Sequence, residues 1–90
     1  MREIVEKLET IVGEVGEKAD TINMGCDHGT AVWRKGKSTL IVLEVELARD
    51  GTSMKYHLFT NKGLYNEEEL TEANLPKLIK EVLTRKRGSQ

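Results

Sequence analysis

Met24-Gly25-Cys26-Asp27-His28-Gly29 is the one stretch of the chain where a nucleophile, an acid and a base stand together. At a strand end, Cys26 and His28 would share one side, where thiolate and imidazole could pair while the flanking glycines let a substrate approach the backbone. No further group completes a catalytic set. The same residues also suit a turn, with Asp27-His28-Gly29 as a three-residue hairpin loop, its glycine left-handed, and Cys26 as a small strand residue. The turn is the expectation, and Cys26 and His28 stand beside it as a candidate reactive loop.

Metal ligands are the next chemistry to weigh. Zinc takes four nitrogen, sulfur or oxygen ligands, and Cys26, His28, His57 and a carboxylate could supply them, but paired Cys or His spacing is lacking. Hard cations fit better. Glu14, Glu17 and Asp20 gather at the carboxyl end of the first helical pattern, where unpaired carbonyls also attract positive charge, and calcium accepts such mixed oxygen ligands. Glu67, Glu68, Glu69 and Glu72 form a second acidic group. Neither has the spacing of an EF-hand loop, so a divalent cation is the alternative ligand rather than the leading one.

Arg34, Lys35 and Lys37 at one turn, with Lys77, Lys80, Arg85, Lys86 and Arg87 near the carboxyl end, raise the question of nucleic acid. They are spread over two elements of a chain whose 14 basic and 15 acidic residues leave a net charge of -1. Aromatic residues for stacking are only Trp33, Tyr56, Phe59 and Tyr65, so nucleic-acid binding is the third reading. A phosphate-binding glycine loop, a dinucleotide fingerprint, a nucleophile elbow and paired catalytic carboxylates are all missing. No catalytic residue and no cofactor is assigned, and the chain reads as non-enzymatic.

The elements that would position these groups are clearest between Thr39 and Asn61. Two amphipathic strands fold back on each other at Asp50-Gly51, a dipeptide suited to a tight hairpin. With those two residues as the loop, Leu47 pairs with Met54, Val45 with Tyr56, Leu43 with Leu58 and Ile41 with Thr60 on an apolar face. On the other face Glu46 meets Lys55, Glu44 meets His57, Val42 meets Phe59 and Leu40 meets Asn61. A slip of one residue would bury Glu44 and Glu46, so the pattern defends a single register.

Before the hairpin, Ile4, Val5, Leu8, Ile11, Val12 and Val15 recur at helical spacing, predicting a first helix that ends between Gly13 and Lys18. Thr21 to Arg34 reads as two short strands. The turn at Arg34-Lys35-Gly36-Lys37 leaves Trp33 undecided. A two-residue loop at Lys35-Gly36 puts it on the face of Leu40, Val42 and Phe59, and a three-residue loop turns it to the main core. After the hairpin, Asn66 with Glu69 resembles a capping box, Pro76 breaks the pattern, and Asn74 is a second cap before the stripe Leu75, Leu78, Ile79, Val82, Leu83.

Ninety residues suit one domain, taken as residues 1–90 with a frayed tail over 86–90. The expected fold is α+β in two layers: a meander of three to four antiparallel strands, with an N-terminal and a C-terminal helix packed on one face. The single cysteine excludes an intramolecular disulfide, and no stretch has the length of a membrane span or the pattern of a signal peptide, so the expectation is a cytoplasmic protein without membrane association. Two helices on one face leave the other uncovered. Leu40, Val42 and Phe59, with Ala31 and Trp33 if the loop allows, would form an apolar patch rimmed by charge, and open edge strands offer another route to pairing, which predicts an interaction module that binds a second copy or a partner protein.

Overall fold

The structure is a computed structural model that describes residues 2–61 and 63–88. Ser89 and Gln90 of the expected tail lie outside the described residues, as do the side chains of Glu67, Lys86 and Arg87. In chain order the elements are α1 (Arg2–Val15), β1 (Thr21–Met24), β2 (His28–Lys35), β3 (Ser38–Leu47), β4 (Met54–Thr60), β5 (Gly63–Leu64), a single 3-10 turn (Glu67–Glu69) and α2 (Leu75–Gly88). The strands form one antiparallel sheet in the order β1-β2-β3-β4-β5. The two-layer α+β architecture is as expected, but the meander has five strands among the described residues instead of three or four. The extra one is Gly63–Leu64, which turns back after Asn61 to pair with Thr60 and Phe59. Two residues are too few to show any periodicity, so nothing but the pairing reveals them.

Helix α1 stops at Val15 because Gly16 takes the left-handed conformation, φ 80°, in which a glycine carries no steric cost. Its residues Ile4, Leu8, Ile11 and Val15 lie one above another on a single buried stripe. That stripe packs over β2 and β3, α2 packs over β3 and against α1, and both helices share one sheet face. At the crossing, a Cβ on Gly29 would come within 3.2 Å of Ile4 Cγ2 and 3.3 Å of Leu8 Cδ2, so the missing side chain sets how closely α1 approaches the sheet.

The β3–β4 pairing runs from Leu47 with Met54 to Ile41 with Thr60 in the expected register, but the expected pair of Leu40 with Asn61 is not formed. The loop is nevertheless wider than two residues. Ala48 N–H donates to the Ser53 carbonyl and Gly51 N–H to the Ala48 carbonyl, and only Gly51 has positive φ. A four-residue loop over 49–52 has the same centre as a two-residue loop at 50–51, so both give one register. Asp50 holds the loop together: its carboxylate accepts from the hydroxyl of Ser53 and from the backbone N–H groups of Ser53 and Thr52.

Those bonds, the Ser53 hydroxyl first, hold the Asp50 carboxyl well below the usual carboxylate range. The folded protein therefore resists protonation more than the unfolded chain does. This contribution to stability is complete above about pH 4, the ordinary aspartate range, and is lost as pH falls through the depressed value. Asp50→Asn should lower the melting temperature at neutral pH and flatten its decline below about pH 4. Thermal melts of both proteins between pH 7 and pH 2 check this, and identical acid slopes would contradict it.

Between β2 and β3 the loop is Gly36-Lys37, with Gly36 alone at positive φ, and Lys35 pairs with Ser38. Neither loop weighed from the sequence has these bounds. The register then shifts: Arg34 pairs with Thr39 but Trp33 with Ile41, leaving Leu40 as an extra residue, a β-bulge. The bulge breaks the alternation, so the consecutive residues Leu40 and Ile41 are both buried, and Trp33 is fully buried with them. Trp33 thus takes the core side of its two alternatives, and Ala31 and Leu40 are core residues with it, which corrects the expectation that Leu40, Trp33 and Ala31 belong to an interface on the open face.

Asn66 accepts from Glu68 N–H as a cap should, but it caps one 3-10 turn rather than a helix. Asn74 stands at the start of α2 with its carbonyl taken by Leu78 N–H. Its side chain looks backward, accepting from Thr71 N–H and donating to the Glu69 carbonyl, so it binds the turn to the helix. Pro76, buried in the first turn, costs α2 no hydrogen bond.

Candidate functional site

The pairing defines what the uncovered face carries. Thr21, Val32, Val42, Phe59 and Leu64 are successive cross-strand partners and so form one row across all five strands. Side chains alternate between faces, so this row lies opposite the buried Ala31, Leu43 and Leu58 that meet the helices. Phe59 is 40% exposed and Leu64 65%, while Val32 and Val42 are half-buried between their neighbours. A second row holds Asn23, Thr30, Glu44 and His57, and a third holds His28, Glu46 and Lys55.

Apolar groups therefore fill one end of the face and ionisable groups the other. His57 stands opposite Glu44, yet its Nε2 lies 2.8 Å from Glu46 Oε1, so the imidazole reaches diagonally along the sheet. Of the expected interface residues, Val42 and Phe59 are on this face. Val32 and Leu64 join them. Sequence alternation in Ala31-Val32-Trp33 carried a signal for Val32, whereas Leu64 depends on the short pairing of β5.

The candidate reactive loop is an exposed turn. Gly25 N–H donates to the His28 carbonyl over 2.7 Å, which places Cys26 and Asp27 at the tip, and Gly29 lies in β2 without positive φ. The expected three-residue loop Asp27-His28-Gly29 is therefore not formed, and the turn is the two residues Cys26-Asp27. The His28 ring lies over Gly25, where a Cβ would come within 2.5 Å of its Cε1, and its Nδ1 is 3.3 Å from Asp27 Oδ1. Cys26 and His28 are both exposed.

Among the described residues, no three His, Cys, Asp or Glu side chains converge into a group that could hold a metal ion. Glu14, Glu17 and Asp20 follow one another in sequence without forming such a group. Asp20 Oδ2 accepts from Arg34 N–H over 2.6 Å, and the Glu17 carbonyl accepts from Trp33 Nε1 over 3.0 Å, so both secure the start of the sheet. In the second acidic group, Glu72 accepts from Lys7 Nζ at 2.7 Å and ties α1 to the segment before α2. The basic residues Arg34, Lys35 and Lys37 lie on β2 and its turn, while Lys77, Lys80 and Arg85 lie on α2.

A shallow cleft of about 300 Å³, lined by Met54, Lys55, Tyr56, Leu70, Thr71 and Glu72, adjoins that ion pair. The hydrogen bond and charge of Glu72 raise the pKa of the Lys7 ammonium, and burial raises that of the Tyr56 phenol. Both shifts move a group further from neutral pH.

The molecule belongs to the class of small α+β domains with two helices on one face of an antiparallel sheet and, among the described residues, no helix on the other. Among the described residues, no helix is long and apolar enough to cross a membrane. Comparison with family models, with curated proteins and with solved structures gave no match.

Proposed function

We propose that the protein is a non-catalytic interaction module that binds a partner protein on the second sheet face. The observation that supports this is the cross-strand row of Val32, Val42, Phe59 and Leu64, apolar and uncovered by either helix. Burying apolar area contributes about 25 cal/mol per Å², and contiguous exposed patches of this kind mark contact surfaces. The neighbouring row with Glu44 and His57, and beyond it Glu46 and Lys55, would set orientation at the rim rather than affinity.

The test is recovery of a binding protein by immobilised wild type, by Phe59→Glu and by Glu81→Gln, whose site is on the exposed surface of α2. Binding kept by the wild type and by Glu81→Gln, but reduced at least tenfold by Phe59→Glu, is the expected pattern. Equal recovery by all three, or none by the wild type, would reject the proposal.

A further inference from the structure

We infer that β1 is a self-association edge through which two copies of this chain pair antiparallel about Asn23, joining two sheets of five strands into one of ten. The inference is independent of what binds the second face.

The two edges of the sheet differ in kind. Edge strands expose unpaired peptide groups, and proteins blunt them by shortness, charge, proline or irregularity. The β5 edge is two residues long and begins with Gly63 at φ 128°. The β1 edge, four residues long, is twice the length of β5, and Thr21-Ile22-Asn23-Met24 contains neither charge nor proline. Among the described residues no strand lies beyond it.

Its side chains also lack cover. Ile22 and Met24 pair with Ala31 and Gly29, which places them on the helix side of the sheet, yet they are 44% and 41% exposed. Helix α1 lies over β2 and β3, so the outermost strand extends past it. Two large apolar side chains thus stand at the rim of the core with one flank open to water.

A second copy supplies what this flank lacks. In an antiparallel ladder, alternate residues direct their peptide groups to one neighbour and the rest to the other. Gly25 bonds inward to His28, and Asn23, two residues earlier in the same register, bonds inward to Thr30, so the peptide groups of Ile22 and Met24 point outward. A two-fold axis normal to the sheet at Asn23 then pairs Ile22 of each copy with Met24 of the other, both on the helix side. Thr21 meets Gly25, and beyond it the Asp20 N–H is bonded inward to the Val32 carbonyl, so the pairing is confined to 21–25 and contains no charged residue. An uncharged edge that is self-complementary in hydrogen bonds and in apolar side chains favours its own copy over a peptide of arbitrary sequence. The contact is short, and it belongs to the weak, concentration-dependent class of interfaces.

Asn23 faces its own copy as a non-hydrogen-bonded pair, for which the Cα separation is about 4.5 Å, within the range that a disulfide spans. In a Cys26→Ser background, Asn23→Cys should oxidise to a covalent dimer at least tenfold faster than Phe59→Cys or Lys80→Cys in the same background. Sedimentation of the wild type over rising concentration should show a monomer–dimer equilibrium that Ile22→Lys abolishes and Phe59→Glu preserves, with circular dichroism verifying that each variant folds. Cross-linking of Asn23→Cys no faster than of Lys80→Cys, a wild type monomeric at every concentration, or a dimer lost only in Phe59→Glu would each overturn the inference. The last would move self-association to the second face, and the first two leave the interaction-module proposal to its own test.

Discussion

Trp33→Ala is expected to destabilise the protein by about 3 to 5 kcal/mol, the range for removing a large aromatic side chain from a packed core. Trp33 is fully buried, lies beside Ile41 in the register and donates its indole N–H to the Glu17 carbonyl over 3.0 Å. The substitution therefore removes packing from the centre of the core and also frees the segment that joins α1 to β1. Small domains have total stabilities of about 5 to 15 kcal/mol, so much of the folded population would be lost. Trp33→Phe, which retains most of the apolar contact and loses the hydrogen bond, should cost clearly less. Urea unfolding followed by circular dichroism measures both, since Trp33 is the only tryptophan. An unchanged midpoint for Trp33→Ala would show that the indole is not part of the core.

Leu43→Ala is the second large effect, about 2 to 5 kcal/mol. Leu43 is fully buried between Ala31 on β2 and Leu58 on β4, on the face that both helices cover. Ala31 is already small, so the vacated space cannot be refilled from that side, and the cost should lie toward the upper part of the range. Unfolding should lose its cooperativity or shift to much lower urea. Val42 is next to Leu43 in the chain but faces away from the helices and is half-buried. Val42→Ala should therefore unfold close to wild type, and similar losses for the two variants would contradict the assignment of faces.

Much of this architecture is legible in the residues alone. The β3–β4 hairpin is readable residue by residue because Glu44 and Glu46 alternate with Leu43, Val45 and Leu47, and only one register keeps both acids out of the core. The same alternation marks Val42 and Phe59 as facing away from the helices. It fails at Leu40, where a bulge sets two neighbouring residues on one side. Lys35-Gly36-Lys37 tolerates several loops of similar local energy, so the choice falls to whichever one takes Trp33 out of water. For the candidate site, Val32 and Leu64 become neighbours of Phe59 only through pairing across four strands.

By itself, then, the sequence determined the faces of the two helices, the register of the central hairpin and the presence of an apolar row on the second side of the sheet. These follow from periods of 3.6 and 2 and from the high cost of burying charge, all of which act between residues close in the chain. Only the tertiary structure decided that Trp33 and Leu40 turn inward, that Gly63–Leu64 adds a fifth strand and that β1 is the open edge. Those outcomes depend on which distant segments share the apolar area beneath α1 and α2. A bulge or an edge costs little locally, and the burial gained by the whole core selects among the alternatives.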